Sequence, residues 1–258
     1  LKNLLSSYLD FAVETAWLAG RLTLGYFQSQ IRPDFKPDQT PVTVADKKAE
    51  ELIRSRIEKK FPDHAIVGEE YGASDRQTSE LCWYIDPIDG TKAFTRGVPL
   101  YSVLIGLEIE KNVEVGVVFF PALNEMVAAA TGLGCRLNGR LVKVSDIGKI
   151  DEAVVTFTDA ASFADHGRGP AWQRILDSAY VSAGWGDAYG HCLVATGRAE
   201  AMFDPVMEVW DCAPFPPILR EAGGYFGDWS GNQTIHAKEA ISVNAALLPS
   251  VLELINRH

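Results

Sequence analysis

Apolar residues recur at helical spacing from the start of the chain. Leu4, Leu5, Tyr8, Phe11, Ala12, Leu18 and Leu22 predict one long amphipathic helix over residues 1–29, closed off by Pro33 and Pro37. A second helical stripe runs through Ala49, Leu52, Ile53, Ile57 and Phe61. Thr43 can cap it, with Asp46 three residues later in capping-box spacing. The period then shifts to that of strands. Ala65–Val67 is a short one, residues 71–80 form a polar surface loop, and the apolar run Leu81–Ile85 reads as a buried strand that Pro87 stops. Val103–Ile109 and Val113–Phe120 flank a hairpin turn at Lys111-Asn112. Glu125–Thr131 and Arg136–Val144 add strands around Gly132-Leu133-Gly134 and Asn138-Gly139. Strands in direct succession imply an antiparallel sheet rather than repeated βαβ units.

Further on, Ala153–Phe157 is a strand and 159–170 a loop that marks a boundary between two halves. Helices follow at Ala171–Ala179 and Ala188–Gly197, and a short strand at Ala201–Phe203. Trp210-Asp211-Cys212-Ala213-Pro214 opens a helix through Ile218, Leu219 and Ala222, stopped by Gly223-Gly224. A strand at Ile241–Ala245 and a helix at Leu248–Ile255 end the pattern. A chain of 258 residues suits one large α/β or α+β domain, or two small ones packed together, and the direct succession of strands favours α+β.

Composition narrows the function. With 24 basic against 34 acidic residues the net charge is −10, which argues against a general nucleic-acid or anionic-membrane binder. An anionic substrate must therefore be drawn in by local charge, such as bound metal. Cys82, Cys135, Cys192 and Cys212 form no C-x-x-C pair and read as free thiols, which fits a reducing, cytoplasmic compartment. No apolar run approaches the ~20 residues that span a bilayer, and no secretory signal is visible. The sequence begins at Leu1 without an initiator Met, which leaves a removed leader open.

The chemistry concentrates in Asp86-Pro87-Ile88-Asp89-Gly90-Thr91. Two carboxylates at a strand end are costly unless a cation holds them together. Amides around Gly90 and Thr91 would open a short helix, whose N-terminus favours phosphate. Glu69 of Gly68-Glu69-Glu70 and Asp211 also sit where a strand ends or a helix begins. Each acid has an ordinary alternative: Glu69 as a solvated surface acid, Asp46 and Asp211 as caps, and Asp89-Gly90 as a turn. Together they make a set of hard oxygen ligands suited to Mg²⁺ or Mn²⁺. The histidines show no paired-ligand spacing, and His191 reads as packed within a helix. Nucleophile-elbow and P-loop motifs are absent, and the Asp-x-Asp-Gly-Thr phosphatase signature fails by one residue of spacing.

These motifs resemble the inositol monophosphatase family. Asp86–Thr91, Gly68-Glu69-Glu70, Trp210–Pro214, Pro41-Val42-Thr43-Val44-Ala45-Asp46, Cys192–Gly197 and Glu221–Gly224 carry the likeness over nearly the whole chain. The resemblance implies a layered α-β-α-β-α sandwich with largely antiparallel sheets. Residues 1–150 would form a metal- and phosphate-binding half, and residues 151–258 a half that completes the active site. It implies a magnesium-dependent, lithium-sensitive phosphomonoesterase, homodimeric, acting on a small phosphorylated metabolite. By position, Glu69, Asp86, the Ile88 carbonyl, Asp89 and Asp211 would be metal ligands. Asp46 would serve a further metal or its water, in place of the capping role its spacing alone favours. Thr91 with Glu69 would orient the attacking water, and the Gly90 and Thr91 amides would hold phosphate. Two Mg²⁺ ions about 3.5–4 Å apart, or three in all, would then support direct water attack.

The chain departs from the inositol-specific pattern at Lys92-Ala93-Phe94 and at Gly184-Trp185-Gly186-Asp187-Ala188-Tyr189. Asp187 stands where an alanine is usual, and Asp204 where inositol enzymes place a glutamate. Both features resemble the histidinol-phosphate phosphatase branch. A carboxylate at Asp187, with Asp204, could pair with a cationic leaving group. The plainer reading of Asp187 is a helix cap. The alternatives to a histidinol-phosphatase are an inositol-1-phosphate or broad-specificity monophosphatase, and a regulatory binding protein on the same scaffold.

Overall fold

The computed structural model describes residues 2–29, 32–37, 41–75 and 79–257. Asp38-Gln39-Thr40 ahead of the second helix, residues 76–78 of the polar loop, Leu1 and His258 lie outside them. Five layers alternate helix and sheet. Helices Lys2–Leu24 and Val44–Lys60 cover one face of an eight-stranded sheet, with Phe11, Ile53, Trp83, Ile85 and Val117 among the buried contacts. The other face of that sheet packs on helices Asp187–Ala195 and Phe215–Ala222 through Leu104, Val118, Cys192 and Phe215. The same helices lie on a five-stranded sheet through Met202, Phe226 and Ala240. Helices Gly169–Ser178 and Leu248–Ile255 close its outer face over Phe203, Trp229 and Val251. The α+β layered sandwich matches the expectation.

The eight-stranded sheet is antiparallel except where Ala65–Gly68 runs parallel to Leu81–Asp89. The five-stranded sheet is mixed. Val154–Phe157 pairs in parallel with both Val181–Ala183 and Ala201–Asp204, and the remaining pairs are antiparallel. The second half therefore uses helical crossovers that the strand succession of the first half did not suggest.

Several boundaries differ from the expectation, each for a local reason. The first helix ends at Leu24, where Gly25 and Tyr26 bond back to Leu22 and Thr23 in turns. Pro87 does not stop its strand. Leu81–Asp89 continues through a register shift between Asp86 and Asp89, and a bulge tolerates a residue without an N–H. The hairpin turn falls on Glu110 and Lys111, both left-handed, one residue earlier than predicted. The 159–170 loop contains a short helix, Ser162–Asp165, anchored by buried Phe163 stacked on Trp172. The helix predicted from Trp210 onward is two, Val209–Cys212 and Phe215–Ala222, broken at Ala213-Pro214. Strands Val181–Ala183 and Gly224–Gly227 were not predicted, the first being short and mostly exposed.

Candidate active site

The bulge that carries Asp86 and Asp89 sits at the end of a buried strand. Asp86 is 3% exposed, and its Oδ1 accepts the Ile88 amide at 2.9 Å. That bond folds the chain so that both acids face one cavity. Asp89 Oδ2 accepts from Ser102 Oγ at 3.1 Å and from the Ala188 amide at 2.9 Å. Gly90 then takes a left-handed conformation, φ 77°, and caps the short helix Thr91–Thr95. Thr91 Oγ1 donates to the Ile88 carbonyl at 3.1 Å and faces Asp46 Oδ1 at 3.5 Å.

Asp211 arrives from the opposite layer. Gly106 and Gly116 pair on adjacent strands, and a Cβ on either would run into Ala213 or Pro214. Their bare backbone lets the Val209–Pro214 segment lie directly on the sheet. Asp211 Oδ2 accepts the Glu208 amide at 2.8 Å, so it does cap its helix, as its spacing allows. Even so, carboxylate oxygens of Asp86, Asp89 and Asp211 all lie within 4.8 Å of one another.

Asp46 caps its helix and also reaches toward the site. Its Oδ2 completes the capping box with the Thr43 amide at 2.8 Å and hydroxyl at 2.5 Å, while Oδ1 points to Thr91. Glu69 faces the same cavity but is paired with Lys36 Nζ at 2.7 Å, and the same ammonium holds Glu70 at 2.8 Å. Together, Glu69, Asp86, Ile88, Asp89, Gly90, Thr91, Asp187 and Asp211 line one cavity of about 380 Å³.

Asp204 opens onto an adjoining cavity of about 240 Å³, shared with Asp89, Asp159, Asp187 and Asp211. Asp187 is the first residue of its helix, in a left-handed backbone with φ 51°, and its side chain makes no cap bond. Its Oδ2 lies 3.1 Å from where a Cβ on Gly90 would be. The capping alternative for Asp187 therefore has no hydrogen bond behind it.

Thr158, Asp159, Lys92, Lys36 and Ser102 all stand at the site and carry no assigned role in the sequence, Lys92 lining both cavities. Thr158 and Asp159 line both cavities, at the C-terminal end of a parallel strand. That placement is where α/β layers gather ligand groups, and it was the available signal. Lys36 and Ser102 had none, because both depend on chain segments meeting in space.

The electrostatics are those of crowded buried acids. Burial, then the charges of neighbouring acids, pushes Asp86 and Asp89 well above the ordinary carboxylate range. Burial raises Asp211 to about 7 against the opposing Glu208 amide bond, with Glu69 adding repulsion. Asp46 is raised to about 6 and Asp204 to about 8, again chiefly by burial. Burial opposes the Lys36 charge, but its bonds to Glu69 and Glu70 outweigh that and hold it above the usual lysine value. Hard oxygen donors that repel one another in a buried cleft fit a divalent cation such as Mg²⁺ or Mn²⁺. His191 is apart from this. It is fully buried, its Nδ1 lies 2.7 Å from Ser242 Oγ, and burial depresses it to about 3.

The inositol monophosphatase family model matches residues 4–258. The chain belongs to the inositol monophosphatase family. A histidinol-phosphatase of Chlorobaculum parvum is 46% identical over 93% of each chain. A histidinol-phosphatase of Mycobacterium tuberculosis is 35% identical over 96% of this chain and 97% of that one. The solved inositol monophosphatase from an Anabaena (Nostoc) species superposes with a TM-score of 0.86 at 27% identity, covering 97% of this chain and 96% of that one. As a family member the protein is a phosphoric monoester hydrolase. No helix among the described residues is long and apolar enough to cross a membrane.

Proposed function

We propose that the enzyme hydrolyses histidinol phosphate to histidinol and phosphate, by direct attack of a water assisted by divalent cations. Asp86, Asp89, Asp211, Glu69 and the Ile88 carbonyl would hold Mg²⁺, with Asp46 beside them. The bound ions would activate water and stabilise the leaving oxygen. The chain's own groups do the rest. Thr91, between Asp46 and the Ile88 carbonyl, orients the water together with Glu69. The Gly90 and Thr91 amides hold the phosphate. A water oxygen–phosphorus bond forms, the ester P–O bond breaks, and a proton ends on the departing alcohol. Glu69 must exchange its Lys36 partner for the cation. Residues 1–150 form the metal- and phosphate-binding half, and residues 151–258, with Asp211, complete the active site of one catalytic unit, which we expect to be a cytoplasmic homodimer.

The observation that carries the substrate choice is the acidic lining beside the phosphate position. Asp159, Asp187 and Asp204 all face the smaller cavity. Histidinol phosphate presents an ammonium and an imidazole to such a wall. A neutral polyol brings no charge to this wall, where Lys92 is the basic residue of the lining and acts on Asp187, and it is disfavoured. The similarity to the two histidinol-phosphatases supports the same choice. The test is phosphate release with Mg²⁺ from histidinol phosphate and from inositol-1-phosphate, compared by kcat/KM on one preparation. A strong preference for histidinol phosphate is expected, and a preference for the inositol ester would overturn the assignment.

A further inference from the structure

Thr158 follows the strand Val154–Phe157 directly and sits between two acids of the leaving-group pocket. Its Oγ1 accepts the Asp187 amide at 2.8 Å and donates to Asp204 Oδ2 at 2.6 Å. One hydroxyl thus joins two residues from different elements, the end of one strand and the start of one helix. The approach is close by construction. A Cβ on Gly186 would stand 2.7 Å from Thr158 Oγ1 and closer still to its Cα, so only a bare backbone lets the helix start settle there. Asp187 is left-handed, a conformation that strains a non-glycine residue and persists only where its surroundings enforce it. Its amide bond to Thr158 is such an enforcement, and the same backbone geometry sets the carboxylate beside Gly90.

We propose that Thr158 is a positioning residue for leaving-group recognition: its hydroxyl locks the Asp187 backbone and the Asp204 carboxylate into one arrangement, so that the pair meets a cationic alcohol together. This rests on the reading of Asp187 and Asp204 as substrate contacts. It deepens that reading, because the acids act as a braced pair and neither is positioned independently. Asp204 spends one oxygen on Thr158, which leaves Asp187 the freer carboxylate to meet the substrate cation.

The experiment compares Thr158→Val, which keeps the shape and removes the hydroxyl, with Thr158→Ser, which keeps the hydroxyl. Each is assayed with Mg²⁺ on histidinol phosphate and on a neutral ester, inositol-1-phosphate, and each is crystallised. Thr158→Val should raise KM for histidinol phosphate about tenfold, as the loss of one charge-assisted contact does, and lower kcat on both esters by a smaller factor, because the Ala188 amide that bonds Asp89 moves with Asp187. Its crystal structure should show Asp187 displaced from Gly90. Thr158→Ser should restore both the KM and the Asp187 position. Equal losses on the two esters, or a Thr158→Ser enzyme as impaired as Thr158→Val, would overturn the proposal. So would an Asp187 that keeps its left-handed backbone and its place in Thr158→Val. A wild-type enzyme that does not prefer histidinol phosphate would refute the substrate assignment instead, and the crystallographic arm would still decide whether Thr158 positions Asp187.

Discussion

Asp211 reaches the acidic cluster only because the Val209–Pro214 segment lies flat on the glycine pair Gly106 and Gly116, so adding one methyl group there should separate the acids. Both glycines are buried and neither has a positive φ, so alanine fits the backbone at each. With no contact involved, Gly→Ala at such a site stabilises by about 0.4–1 kcal/mol through the unfolded state. Here contact decides. An added Cβ on Gly116 would stand 2.8 Å from the Pro214 carbonyl carbon and closer still to its oxygen, where real Cβ atoms stay beyond 3.0 Å. Both groups are backbone and cannot rotate away. The segment must lift, and Asp211 with it. Overpacking of this kind costs about 1–3 kcal/mol, or roughly 2–12 °C in melting temperature for a chain of this size. A shift on the order of 1 Å at a catalytic constellation can cost about a hundredfold in rate.

The assay pairs a thermal melt of the metal-free protein with kcat/KM under saturating Mg²⁺. Gly116→Ala should lose several degrees and one to two orders of magnitude in activity. Gly106→Ala should lose less of both, because its new neighbours, Ala213 Cβ at 2.7 Å and the Ala213 carbonyl carbon at 2.9 Å, are approached less closely than the Pro214 carbonyl oxygen is from Gly116. A Gly116→Ala protein that melts within a degree of wild type and keeps its rate would refute the argument that this close approach places Asp211.

Asp187→Ala should lose histidinol-phosphate activity by at least about tenfold while retaining activity on a neutral small ester, and equal loss on both would sink its specificity role. In the metal-free protein, Asp46, Asp211 and Asp204 are raised to about 6, 7 and 8, so their stabilising neutral forms are complete below the unfolded carboxylate value near 4 and are lost as pH rises through those folded values. Its melting temperature should therefore fall between pH 5 and 8, with Mg²⁺ giving a larger increase at pH 8 than at pH 6, and a flat profile would contradict the buried-acid account. Because the Lys36 ammonium holds Glu69 at 2.7 Å, Lys36→Met should tighten divalent-cation binding measured by calorimetry, and weaker or unchanged binding would show that the ammonium does not compete.

The acids were legible in the sequence because each follows an abrupt end of an apolar pattern: Asp86 after Leu81–Ile85, Glu69 after Ala65–Val67, Asp211 at a helix start. The order of the layers was legible from the motifs they share with the family. Less could be read where geometry depends on two segments at once. Pro87 reads as a terminator in one dimension, but the bulge it occupies exists because Asp89 re-pairs with Ser102 on the next strand. The parallel pairings of Val154–Phe157 were hidden because the crossover to Val181–Ala183 is built from small pieces, one helix of four residues and one of ten. Lys36 and Ser102 carry no local signal, since a lysine between prolines and a serine at a strand start are common in any chain. Asp46 and Asp211 show a different limit. Spacing posed capping and site membership as rivals, and a carboxylate with two oxygens can do both.

The two sheets divide the chemistry. Glu69, Asp86, Asp89, Gly90 and Thr91 lie at the ends of strands of the eight-stranded sheet, while Thr158, Asp187 and Asp204 belong to the five-stranded sheet and its helix. Under the proposed roles, this division would let the leaving-group wall vary while the metal-binding acids stay in place, which fits one family holding relatives named for different phosphate esters. The separation is incomplete at two points. Asp211 joins the acids of the first half from Val209–Cys212 in the second. Asp89 Oδ2 accepts the Ala188 amide at 2.9 Å, one residue from Asp187. A change at Asp187 that unwinds the helix start therefore also removes a hydrogen bond from an acid of the hydrolytic cluster. Substitutions that keep the left-handed turn, such as Asp187→Asn, should alter leaving-group choice alone. Those that abolish it, such as Asp187→Val, should damage hydrolysis of every ester, because a β-branched residue resists positive φ and the Ala188 amide moves with it.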